Sequence, residues 1–146
     1  VHADGGPHDW LAAHLSRAHA GDYLALLAYL PTSGSEIAAE FGSLRHALAA
    51  RTRLPTTLGI GPRFLHSTGQ LHKGGGNAGV FLQITCDDEE KVAVPGERYD
   101  FSTLKVAQAL GDMDALLAQG RRVMRCHLRG DSLAALRRLR RGLAAS

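Results

Sequence analysis

Two histidines, two hydroxyls, an amide, an arginine and a lysine crowd the stretch Pro62–Gly76 of this 146-residue chain. They are Arg63, His66, Ser67, Thr68, Gln70, His72 and Lys73, followed by Gly74, Gly75 and Gly76. An imidazole moves protons near neutral pH. Hydroxyls, an amide and two cations suit an oxygen-rich, anionic ligand. A helix starting near Phe64 would aim its free N–H groups and positive dipole end at such a ligand. At that spacing His66 and Gln70, four apart, share a helical face. The bland alternatives are a hydrogen-bonded or surface imidazole at His66, and a solvated helix end at His72 and Lys73. His66 and His72 are six apart with no carboxylate nearby, so neither a metal site nor another cofactor is expected. The glycines lack the spacing of a nucleotide-binding loop. His14 and His19 read as imidazoles of a surface helix.

Alternating elements must position this stretch. Residues 1–8 suggest a disordered leader or linker, and 9–146 one domain. Asp9 is placed to cap a helix from Trp10 to about Ala20. Tyr23–Leu30 suits a strand buried on both faces, although its Ala and Leu content also permits a helix. Pro31–Ser35 reads as a loop, and Ser35 as the cap of an amphipathic helix to about Thr52. A strand is expected at Pro55–Gly61 and another, β-branched and aromatic, at Asn77–Thr85. A long loop, Cys86–Asp100, then precedes a helix to about Gln119, capped by Asp100 or Ser102. A strand at Arg122–Leu128 and a last helix capped by Asp131 complete the order. Strands alternating with helices predict an α/β fold with a parallel sheet between helical layers. In such sheets ligands bind outside the carboxyl ends of the strands, where Pro62–Gly76 begins.

Composition sets further bounds. Apolar residues make up 45% of the chain, enough for a core, and the net charge of +3 does not demand a nucleic-acid partner. The Arg137–Arg141 run lacks interleaved aromatics and reads as a solvated helix end. No apolar run reaches the ~20 residues of a membrane span, so no membrane partner is expected. Cys86 and Cys126 have no metal-type spacing and suit buried thiols of a reducing, cytoplasmic compartment. The first residues lack the features of a secretion signal and an initiator Met, which suggests a piece of a longer chain.

Thr56–Gly75, then Gly79–Thr85, Val94–Gly96 and Tyr99–Asp112, resemble in order the C-terminal sugar isomerase domain of glucose-6-phosphate isomerase, as found in bifunctional transaldolase/phosphoglucose isomerases. The likeness runs roughly from Asp22 to Leu128. It implies a three-layer α-β-α sandwich with a flavodoxin-like parallel sheet. It also implies metal-free interconversion of glucose 6-phosphate and fructose 6-phosphate, a step of glycolysis and gluconeogenesis. In that family a histidine assists ring opening and a glutamate shuttles a proton through a cis-enediol. His66, with Ser67 and Gln70, matches the family's histidine segment. Arg63, Ser67, Thr68, Gln70 and Lys73 would bind or orient the substrate. The sequence departs from the family in having no counterpart of the glutamate base, of the Ser/Thr phosphate loop or of the C-terminal lysine. The implied partners are a hexose 6-phosphate, a missing N-terminal isomerase half and a second copy in a homo-oligomer. The isolated domain is expected to be inactive, and a non-catalytic phosphosugar-binding or dimerisation domain is the alternative.

Overall fold

In a computed structural model that describes residues 6–30, 34–88 and 90–145, the chain is an α/β sandwich. Its elements are α1 (Pro7–Leu15), β1 (Tyr23–Tyr29), α2 (Ser35–Thr52), β2 (Thr56–Ile60), a 3-10 turn (Arg63–His66), α3 (Thr68–Gly74), β3 (Gly79–Cys86), α4 (Phe101–Ala118), β4 (Arg122–Leu128) and α5 (Ser132–Ala145). The four strands are all parallel, in the order β2-β1-β3-β4. This is the three-layer, flavodoxin-like arrangement. The order reverses between β1 and β3, so the switch point lies at the carboxyl ends of those two strands. No helix among the described residues is long and apolar enough to cross a membrane.

The period of two along each central strand divides the core into halves. Leu24, Leu26 and Ala28 of β1 and Val80, Leu82 and Ile84 of β3 pack against Leu11, Phe41, Leu44, Leu48, Leu136 and Leu139 from α1, α2 and α5. Ala25, Leu27, Tyr29 and Phe81 face the other way, onto Phe64, Ala109 and Leu116. That second face is covered by α4, by the 3-10 turn and by α3, whose His72 ring lies 5.0 Å from Phe81. β1 therefore reads as an unbroken apolar run because both its faces are dry, whereas the equally buried β3 carries Gln83 and Thr85, whose side chains hydrogen-bond to the Ala109 carbonyl and to His127.

Element ends follow local chemistry. α1 begins at Pro7, inside the expected leader, because Pro suits the first helical turn and the Asp9 carboxylate accepts from the Gly6 N–H at 2.8 Å. Asp9 is thus the third helical residue and not the cap. α1 also stops at Leu15, short of the expected Ala20. Gly34, not Ser35, is the N-cap of α2. Asp100 and Asp131 cap as expected, accepting from the backbone N–H groups of Thr103 and Ala134. The expected leader up to Gly5 and the loop residues 31–33 lie outside the described residues. Arg137 and Arg140 are not simply solvated: both pair with the buried Glu40 carboxylate and strap α5 to α2. Cys86 is buried in β3 and Cys126 half-buried in β4, and neither is in a disulfide.

His14 corrects the reading of α1 as a surface helix. It is 5% exposed and its Nε2 donates to the Phe81 carbonyl at 3.0 Å. Burial lowers its pKa from 6.5 to about 4, against the pull of that carbonyl, with Arg17 and Arg122 adding to the lowering. The folded chain thus keeps His14 neutral at pH values where the unfolded chain protonates it. The associated stability is complete above 6.5 and is lost as the pH falls toward about 4. At 1.36 kcal/mol per pKa unit the loss is about 3 kcal/mol. His72 is lowered too, again by burial, and adds to the same slope. Urea midpoints at about pH 7 and about pH 5 should differ clearly in the native sequence, and much less in His14→Gln. An unchanged pH slope in His14→Gln would refute this assignment.

Candidate functional site

β2 ends at the sheet edge, and the chain turns there through Gly61-Pro62. Gly61 packs on the Tyr29 ring so closely that a Cβ would lie 2.5 Å from Cε1. The expected single helix from Phe64 is broken in two. Ser67, at φ −130° and ψ −100°, separates the four-residue 3-10 turn from the seven-residue α3. Gly69 lets the second piece close onto the first, since a Cβ there would stand 3.0 Å from the Phe64 carbonyl oxygen. His66 and Gln70 therefore belong to different helices. The four-residue spacing does not put them on one helical face.

The candidate residues divide into two groups. Arg63, His66, Ser67, Thr68 and Gln70 are exposed. Ser67 donates to the Phe64 carbonyl at 3.3 Å and Gln70 to the Leu65 carbonyl at 2.9 Å, so both are occupied in holding the turn. Among the described residues the side chains of Arg63, His66 and Thr68 have no hydrogen-bond or ion-pair partner and stay available. His72 and Lys73 point inward, contrary to the solvated helix end. The buried His72 ring tilts against Tyr23, Phe64 and Phe81. Its Nδ1 lacks a partner. Lys73 is 2.6 Å from the Asp112 carboxylate, whose side chain is 2% exposed.

Asp112 is a node that sequence reading missed. It takes Lys73 from α3 and, through its other oxygen, the Tyr29 hydroxyl from β1 at 3.2 Å. Burial, with the neighbouring carboxylate adding to it, pushes the Tyr29 hydroxyl well above its ordinary range. Burial depresses His72, the Asp112 carboxylate opposes that shift, and Lys73 adds to it. Arg121 donates to the Lys73 and Gly75 carbonyls, both at 2.6 Å, and so caps the end of α3. The cluster ties α3, α4 and β1 together beneath the candidate turn. It is a support for that turn and is nearly closed to solvent.

A second polar group stands at the carboxyl ends of β3 and β4. Thr85 and His127 are paired in register, and the Thr85 hydroxyl lies 2.9 Å from His127 Nδ1. His127 Nε2 is 3.4 Å from Asp87. With Tyr29, Cys86, Lys105, Val106, Ala109 and Arg125 they line a cavity of about 230 Å³ beside the switch point. A larger cleft of about 450 Å³ continues from Lys105 past Asp88, Phe101 and Ser102 to Pro62, the first residue of the candidate turn. The signal for this group was legible: polar residues at alternate positions near the carboxyl end of an edge strand. Among the described residues no cluster of His, Cys, Asp or Glu is arranged to hold a metal.

No family model and no curated protein matches the chain. Among solved structures it is similar to a hypothetical protein from Thermus thermophilus, with a TM-score of 0.72 at 16% identity. The similarity covers 93% of this chain and 36% of that one, so this chain spans about a third of the protein it matches. At that identity the likeness concerns the fold.

Proposed function

We propose that this domain contributes His66 to the aldose–ketose isomerisation of a hexose 6-phosphate, glucose 6-phosphate to fructose 6-phosphate. One observation carries the reading. Arg63, His66 and Thr68 stand exposed at the carboxyl end of β2 with no side-chain partner among the described residues. A guanidinium suits a phosphate or sugar hydroxyls. A protonated imidazole donates to the ring oxygen as the ring C–O bond breaks, and the C1 hydroxyl gives its proton to solvent water as the carbonyl forms. The proton shift between C2 and C1 needs a base, and no carboxylate is paired with His66 among the described residues. The glutamate and the phosphate cradle come, in this reading, from a further domain that packs over the turn. A wall of a shared site must be exposed when its other half is absent, which is how His66 stands.

Two measurements test this in solution. The purified 146-residue chain should show no isomerase turnover. Titration with glucose 6-phosphate should shift the His66 ring resonances more than those of His19 or His46. Equal, non-saturating shifts at all three histidines would count against the site.

A second reading, a dimerisation domain, has its own observation. The outward positions of α4 are Phe101, Thr103, Val106, Ala107, Leu110, Gly111, Asp114, Leu117 and Ala118, with a single charge among them. Val106, Leu110 and Leu117 are 45%, 40% and 50% exposed. Small residues at 107 and 111 sit near the helix midpoint, which suits an antiparallel contact between two copies about a two-fold axis. Light scattering should give a dimer for the native chain and a folded monomer for Leu110→Glu. A native monomer at about 100 μM would exclude the dimer.

A further inference from the structure

Arg125 stands across from Gln83 in the β3–β4 register, two residues before His127 and on the same face of the edge strand. Arg125 lines the strand-end cavity, and its guanidinium has no hydrogen-bond or ion-pair partner among the described residues. Every other cation bordering that space is engaged: Lys105 pairs with Asp88, and His127 faces Thr85 and Asp87. The two contacts of His127 differ in quality. Thr85, a buried residue at 7% exposure, holds Nδ1 with its hydroxyl at 2.9 Å and fixes the ring. Asp87, with 80% of its side chain exposed, approaches Nε2 only to 3.4 Å. That is longer than a good N–H···O bond. A free guanidinium therefore borders the same small cavity as an imidazole whose present anion is loose and solvent-facing.

We infer that this cavity binds a phosphoryl group, held by Arg125 and His127 Nε2, with Thr85 fixing the imidazole and Asp87 acting as the counter-ion the phosphoryl group displaces. The chemistry fits the parts. A guanidinium meets two oxygens of a phosphoryl group at once. The ring of His127, anchored at Nδ1, presents Nε2 without having to reorganise. The volume of about 230 Å³ admits a phosphate with a few further atoms. The cavity lies beside the switch point of the sheet, where doubly wound folds bind ligands. The site shares no residue with the His66 turn and stands or falls separately from it.

The test uses the whole chain and two probes, inorganic phosphate and glucose 6-phosphate. His127 ring resonances are followed by NMR through the titration with each probe. Saturable shifts at His127 are expected. Arg125→Gln should weaken binding about tenfold or more, the worth of one charge-assisted hydrogen bond. Asp87→Asn should tighten it, because the competing carboxylate is gone; a merely structural Asp87 would not give that opposite sign. His66→Gln should leave the titration unchanged. Tighter binding of glucose 6-phosphate than of inorganic phosphate would identify a phosphate monoester as the ligand, and equal binding a free phosphate. Circular dichroism verifies that both cavity variants are folded. The absence of a saturable His127 shift with either probe would overturn the inference. So would an Arg125→Gln protein that binds as well as the native chain.

Discussion

Truncating Phe81 to Ala should destabilise the fold by about 4 kcal/mol, within the range for emptying a buried aromatic site. Phe81 is 1% exposed in the first half of β3 and fills the space between the sheet and α3. Tyr23 meets its ring edge-on at 6.1 Å and His72 tilts against it at 5.0 Å. Both partners would lose their packing together, and the sheet below cannot collapse to fill the gap. Its carbonyl also accepts from His14 on the opposite face, so a shift of the β3 backbone would be felt in both halves of the core. Urea unfolding should show the loss as a lower midpoint at constant slope. A cost below about 1 kcal/mol would mean that the second core half is not packed as described.

Asp112→Ala should cost about 3 kcal/mol, at the low end for breaking a buried pair because Lys73 retains 22% exposure. The deletion strands the Lys73 ammonium and removes the acceptor of the Tyr29 hydroxyl. The loss should fall mainly on α3 and the turn before it, which the pair ties to α4. The double variant Asp112→Leu/Lys73→Met should recover most of the stability, because replacing both partners removes the unpaired charge. Recovery would separate a structural strap from a site that needs charge. If Asp112→Ala and the native chain unfold at the same urea concentration, the strap does not exist.

Much of the architecture was legible in the residues. An unbroken apolar run at Tyr23–Tyr29, β-branched and aromatic residues at Gly79–Cys86, turn residues between elements, and acidic caps at Asp100 and Asp131 are local signals, and each marked its element. The direction in which side chains point was less legible. His14 and His72 read as polar surface groups because a histidine in a short helix gives no period of its own. What decides their burial is a tertiary contact with β3, whose Phe81 meets both of them. The break at Ser67 was hidden for a similar reason. It depends on Gly69 closing against the Phe64 carbonyl, which is a tertiary contact and not a propensity. The polar residues of the candidate turn were found by type, yet the structure engages Lys73 in a strap and leaves Arg63, His66 and Thr68 available. Asp112 could not be found from its helix alone, because a carboxylate in an amphipathic helix ordinarily faces water. Its burial comes from the Lys73 and Tyr29 partners that α3 and β1 supply.

The isomerase reading rests on His66 as a proton donor completed by a second domain. Its direct test is turnover of glucose 6-phosphate to fructose 6-phosphate by a protein that joins this domain to that second one, native against His66→Ala. General acid catalysis of ring opening is worth about 10²- to 10⁴-fold, so kcat on the ring form should fall by at least about a hundredfold. Thermal stability should be unchanged, since the exposed His66 side chain has no partner among the described residues. A substrate supplied in an open-chain form should lose less. A His66→Ala protein that turns over as fast as the native one would contradict the account.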